Sequence, residues 1–368
     1  MLTDRKSSSC AVMARTCSVL LGLVILATFA TVVEAQRLWT EQPAGHSALP
    51  ALQELNDALL AMTDRVMPAV VSLQVRGKTR TGSDLPRDHP PVPAPDSPAS
   101  GTGFIIKANG LAVTNQHVVE DKEEVYVRLF DGTRTRARVL GRDTVGDLAL
   151  LMIDSETPLP VVPLGDSDAA RVGELVVAIG NPLGFEHSVT FGVLSGKRRK
   201  FLRSSAVGGY LQTDAAITTG NSGGPLVNMR GEVVGVNTAT IHRRNMGFAI
   251  PVNAVKAALP QLHDYGRVTR AYLGVRIDPL DRDKIIRLGL ESPRGAYVHE
   301  VLSGQPAQRA GIAIGDIIVA IDGDEINSPF DLQVAVASRP VGKKVRIELL
   351  RQQQRQTVEL ALGEMPDN

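Results

Sequence analysis

Between Gly103 and Pro251 the sequence breaks into short runs of β-branched and aliphatic residues parted by Gly, Asp and Asn. The runs are Phe104–Ile106, Ala112–Thr114, Val125–Leu129, Ala137–Arg142, Leu148–Ile153, Leu175–Ile179, Thr190–Ser195, Glu232–Thr238 and Gly247–Ile250. Asn109-Gly110, Asp131-Gly132 and Arg230-Gly231 stand between them as turn signals. Strands this short, with turns this regular, predict an antiparallel barrel or sandwich. No helix alternates with strand here, which excludes an α/β-hydrolase. That exclusion bears on Gly220-Asn221-Ser222-Gly223-Gly224-Pro225, because Gly-x-Ser-x-Gly is also the nucleophile elbow of that fold.

A serine set among glycines is a candidate nucleophile, since glycine permits a tight turn and brings backbone N–H groups close to the reacting centre. Its hydroxyl is inert at neutral pH without a base. His117, in Thr114-Asn115-Gln116-His117-Val118-Val119, stands where a strand gives way to a helical turn. His46 and His89 fall in N-terminal parts, His187, His242 and His263 in polar loops, and His299 in the last domain. The base needs a carboxylate to fix its tautomer and stabilise the imidazolium. Asp147, directly before Leu148-Ala149-Leu150-Leu151, is placed to reach it; Asp143 is the runner-up, expected at the surface. The chain order His117, Asp147, Ser222 is that of chymotrypsin-type enzymes. The backbone N–H groups of Gly220 and Ser222 are positioned for an oxyanion hole. Asp214 reads as structural or as a pocket wall. Attack requires neutral His117, so activity is expected to fall on acidification. Nothing calls for a metal or a cofactor, and no phosphate-cradling loop is present.

The flanks set the compartment. At 368 residues the chain is long enough for two or three domains, and 40 basic against 39 acidic residues argue against a nucleic-acid partner. The apolar run Val19 to Val33 follows Lys6 and Arg15 and ends at Val33-Glu34-Ala35. Residues 1–35 therefore read as an export signal cleaved before Gln36, or as an uncleaved membrane anchor. Cys10 and Cys17 both lie inside that segment, so the mature chain would have no disulfide and no thiol nucleophile. Residues 36–67 form an N-terminal helical segment, with Leu52, Leu55, Leu59, Met62 and Val66 on one face and Pro68 at its end. The domain from 68 to 262 carries a proline-rich surface loop at 77–100 and closes on a helix over Val252–Leu262. A charged linker over 263–271 leads to a small α+β domain over 272–364, where Pro306-Ala307 and Ser328-Pro329 open helices and Asp322-Gly323 makes a hairpin turn.

Thr114-Asn115-Gln116-His117-Val118-Val119, Gly146-Asp147-Leu148-Ala149-Leu150, Gln212-Thr213-Asp214-Ala215-Ala216-Ile217 and Gly220-Asn221-Ser222-Gly223-Gly224-Pro225-Leu226 together resemble the HtrA (Deg) family of serine proteases. Gly101-Thr102-Gly103-Phe104 is similar to that family's opening strand and Gly247-Phe248-Ala249-Ile250-Pro251 to its closing one. Pro306-Ala307, Ala310-Gly311 and Gly315-Asp316-Ile317-Ile318 resemble a single PDZ module. The resemblance implies a mainly β chain, a chymotrypsin-like double β-barrel protease domain followed by a small PDZ domain. It implies an ATP-independent periplasmic endopeptidase, usually a homotrimer, that cuts misfolded or signalling proteins after small aliphatic residues. His117, Asp147 and Ser222 carry over as the triad. Arg199, in Lys197-Arg198-Arg199-Lys200, carries over as the arginine coupling PDZ state to the active site. Tyr272-Leu273-Gly274-Val275 resembles the loop that holds a peptide C-terminus. The alternative from another class is a catalytically silent PDZ scaffold or chaperone.

Overall fold

The structure, a computed structural model, describes residues 49–77, 99–120, 122–180, 188–199, 209–218, 220–241, 246–290 and 293–366. Residues 1–35, expected to be an export signal or anchor, residues 78–98 of the proline-rich loop, Lys200, His46, His89, His187 and His242 lie outside the described residues. Among the described residues no helix is long and apolar enough to cross a membrane.

Helix α1 (Pro50–Val66) ends at a 3-10 turn, Met67–Ala69. Of the five residues expected on its apolar face, Met62 and Val66 are buried, whereas Leu52 and Leu55 are exposed. Six strands follow: β1 (Val70–Gly77), β2 (Ala99–Ile105), β3 (Leu111–Thr114), β4 (Lys122–Arg128), β5 (Arg134–Asp143) and β6 (Leu148–Ile153), with the single-turn helix α2 (Gln116–Val119) between β3 and β4. They close into a barrel in the order β1-β2-β3-β6-β5-β4. Next come β7 (Leu175–Gly180), β8 (Ser188–Arg199), β9 (Tyr210–Thr213), β10 (Pro225–Asn228), β11 (Val233–Ile241) and β12 (Met246–Pro251). These close into a second barrel with the same path, β7-β8-β9-β12-β11-β10.

Strand alternation decides which side chains fill each barrel and which join the two. Along β6, Ala149, Leu151 and Ile153 point into the first barrel, while Leu148 and Leu150 join the core shared with the second. Along β7, Val176 and Ala178 fill the second barrel and Val177 and Ile179 face the shared core. Both faces are buried, so these strands read as unbroken apolar runs. Each fully buried Leu or Ile contributes about 1.5–3 kcal/mol. The shared core therefore clamps the barrels together and fixes the loops at their junction.

Helix α3 (Val252–Tyr265) lays Val255, Ala258 and Leu262 on that core. It runs past the expected end at Leu262 because Gly266, in the left-handed region at φ 71°, is the residue that stops it. The connection to the last domain is correspondingly short. That domain holds β13 (Ala271–Tyr272), β14 (Val275–Asp278), α4 (Arg282–Leu288), β15 (Ala296–Val301), α5 (Pro306–Arg309), β16 (Ile317–Ile321), β17 (Asp324–Glu325), α6 (Pro329–Ala337), β18 (Lys344–Arg351), β19 (Gln354–Ala361) and β20 (Gly363–Glu364). Its main sheet runs β14-β15-β16-β18-β19, with β17 on β16, so β14 is an edge strand. The side chain of Ser328 accepts the Asp331 N–H and caps α6, as Ser328-Pro329 predicts. Helix α4 has no buried residue and so lacks the apolar period that would announce it; an Asp281 cap on the Lys284 N–H starts it.

Candidate active site

Three loops meet at the barrel junction. His117 rides on α2, Asp147 ends the turn before β6, and Ser222 lies in the turn before β10. His117 Nδ1 lies 2.9 Å from each Asp147 carboxylate oxygen, and the His117 backbone N–H donates to Oδ1 at 3.1 Å. Thr238 Oγ1 donates to Oδ2 at 2.6 Å, and Asn115 Nδ2 donates to the Asp147 carbonyl at 2.9 Å. Asp147 holds φ 53°, a left-handed conformation that Asp and Asn tolerate better than most residues. An imidazole that donates from Nδ1 to a carboxylate keeps Nε2 free to accept a proton. Burial lowers the His117 pKa, but the hydrogen bond and charge of Asp147, with a contribution from Glu120, outweigh it. The ring therefore titrates above its ordinary 6.5.

Asp143, expected at the surface, is buried instead. Arg270 pairs with it through Nη1 and Nη2, with the Nη1–Oδ1 contact at 2.6 Å and side-chain exposures of 1% and 11%. It caps its own turn by accepting the Gly146 N–H at 2.9 Å. A guanidinium fork occupies both carboxylate oxygens, which explains its burial and leaves Asp147 as the carboxylate at His117.

The serine turn is stitched to the first barrel. Thr102 N–H donates to the Ser222 carbonyl at 2.9 Å and Thr102 Oγ1 to the Gly220 carbonyl at 2.6 Å, while Gly223 N–H donates to Asn237 at 2.8 Å. Gly223, at φ 85°, must be glycine: a Cβ there would overlap the Thr102 carbonyl and Thr114 Oγ1. Ser222 Oγ donates to the Thr238 carbonyl at 3.3 Å, and among the described residues no hydrogen bond joins it to His117. The structure thus brings His117 and Asp147 into contact, and Ser222 meets that pair through Thr238. Gly220 takes φ 102°, and among the described residues neither its N–H nor that of Ser222 donates to a protein acceptor. Asp214 accepts the Val193 N–H at 2.7 Å, a structural bond.

Thr238 and Asn115 escaped the sequence reading, because a threonine within a strand and an asparagine at a helix start are commonplace. Thr238→Val keeps the β-branch and deletes the donor to Asp147. It is expected to lower kcat/KM about 10–100-fold with little change in melting temperature, and Thr238→Ser is expected to restore most of the rate. Equal rates in the valine and serine variants would remove Thr238 from any part in holding the carboxylate.

The remaining expected residues lie elsewhere. Arg199, exposed at the end of β8, donates from Nε to Gln212 Oε1 at 3.0 Å. His263 pairs with Asp264 at 2.7 Å and His299 with Asp278 at 3.4 Å. Tyr272 to Val275 line a cavity of about 160 Å³ between β14 and α6. Among the described residues the N–H groups of Leu273 and Gly274 donate to no protein acceptor. No group of His, Cys, Asp and Glu among the described residues could hold a metal ion.

Residues 101–236 match the trypsin-like peptidase domain and residues 271–362 the PDZ domain. A probable periplasmic serine endoprotease DegP-like of Pseudomonas putida is 42% identical over 272 residues, 73% of this chain and 56% of that protein. The chain thus spans little more than half the length of that relative. The periplasmic pH-dependent serine endoprotease DegQ of Escherichia coli is 35% identical over 354 residues, 93% of this chain and 75% of that protein. Among solved structures, the HtrA-type protease AlgW with tripeptide superposes with a TM-score of 0.74 at 33% identity, covering 84% of this chain and 98% of that one. On fold, domain order and these likenesses, the chain belongs to the HtrA (Deg) family of trypsin-like serine proteases with one PDZ domain.

Proposed function

We propose that the chain is an exported, ATP-independent serine endopeptidase in which Ser222 is the nucleophile, His117 the base and Asp147 the group that orients and charges the base. The observation that carries this reading is the paired contact of His117 Nδ1 with Asp147 at 2.9 Å, beside a glycine-set serine that shares Thr238 with the carboxylate. Ser222 Oγ leaves the Thr238 carbonyl, gives its proton to His117 Nε2 and attacks the peptide carbonyl. The oxyanion accepts hydrogen bonds from the N–H groups of Gly220 and Ser222, which have no acceptor of their own among the described residues. His117 then protonates the leaving amine, and water releases the acyl group by the same relay. The relatives are named periplasmic, and the apolar run before Ala35 agrees with export to that compartment. Peptide C-termini bind along β14, with their carboxylate on the N–H groups of Leu273 and Gly274.

A phosphonofluoridate probe tests the chemistry. At pH 8 the intact chain is expected to gain one adduct, mapped to Ser222 by peptide mass spectrometry, and to lose casein cleavage in parallel. A chain that cleaves nothing and takes up no probe while still binding peptides would instead be a PDZ scaffold.

A further inference from the structure

We propose that Val145, a peptidase-domain residue two positions before Asp147, forms a wall of the PDZ groove and limits the size of the last side chain of a bound C-terminal peptide. The proposal rests on the peptide-binding reading given above. The cavity beside the carboxylate-holding loop is lined by Leu273, Gly274 and Val275, by Val336 of α6, and also by Val145 and Arg270. Val145 and Arg270 are not part of β14 or α6, the two walls that the PDZ fold supplies. In strand-addition recognition the terminal carboxylate sits on the loop N–H groups, so the last side chain points into the space at that end. About 160 Å³ is room for one benzene-sized group, so a change of one wall side chain alters what fits.

Val145 is also held in place. The Asp143–Arg270 pair is nearly dry, and Arg270 is followed at once by β13, which leads into the peptide loop. The Gly146 N–H on Asp143 closes the turn, and a Cβ at Gly146 would run into the Asp143 carboxylate. The turn that carries Val145 is thus pinned to Arg270, the residue just before the PDZ domain. A buried charge pair is costly to break, so this wall does not swing away when a peptide enters. Peptide selection is then a property of the two domains together.

The test uses the full chain carrying Ser222→Ala and fluorescent peptides that differ only in a last residue of Ala, Val or Phe, with affinity read by anisotropy. Val145→Phe is expected to weaken the Phe-ended peptide about tenfold or more and the Ala-ended one by about twofold at most. Val145→Ala is expected to shift preference the other way. Unchanged ratios among the three peptides in both variants would overturn the proposal. Val275→Arg separates this from failure of the underlying reading: if that variant binds peptides as the parent does, the groove itself is not the peptide site.

Discussion

Ser222→Ala is expected to reduce hydrolysis of casein and of small peptides by on the order of 10⁵–10⁶-fold while leaving C-terminal peptide binding intact. The substitution removes the atom proposed to form the acyl bond, and Thr238 cannot replace it, since it presents a carbonyl to Ser222 and its hydroxyl is already on Asp147. Little stability goes with it. The lost hydrogen bond is long, at 3.3 Å, and Ala accepts the backbone that Ser222 adopts. The turn stays tied through the Thr102 and Asn237 contacts, which involve main-chain atoms of Gly220, Ser222 and Gly223. What remains is the rate supplied by backbone amides and substrate positioning alone, about 10³–10⁴ above water. A purified variant keeping more than about a hundredth of the parent rate would mean that the nucleophile lies elsewhere, because loss of a triad serine leaves far less.

The sequence reading went furthest where local chemistry and tertiary demand coincide. Leu148–Ile153 was legible to the residue because both faces of β6 are buried, which leaves no polar interruption. Helix α6 could be placed from Ser328-Pro329, since capping is a local interaction. Tyr210–Thr213 and Pro225–Asn228 were not read as strands. The second, β10, opens on a proline that a sheet accepts only at special positions. Asp143 was misplaced for a different reason. Its burial depends on Arg270, 127 residues away, and no pattern within a turn reveals so distant a partner. The role of Thr238 is hidden in the same way, since it exists only once two barrels have been packed face to face.

Asp147→Asn is expected to lower kcat about 10⁴-fold near neutral pH without unfolding the chain. Asparagine suits φ 53° as well as aspartate does, so the backbone of the turn can persist. Its amide oxygen can still accept from Thr238, but an NH₂ group turned toward His117 Nδ1 favours the tautomer with its proton on Nε2. That ring cannot take the Ser222 proton. The pH profile gives a second, independent readout. As the proposed base, His117 must be neutral to act, and its pKa is raised above 6.5, so the acid limb of kcat/KM in the parent is expected above that value. In the variant the two Asp147 contributions vanish, while burial, which lowers the pKa, remains. The limb, or an NMR titration of the His117 ring, is therefore expected to move to lower pH. A variant that kept the parent limb, or one whose limb moved upward, would show that Asp147 does not set the charge on His117. The rate loss would then need another cause.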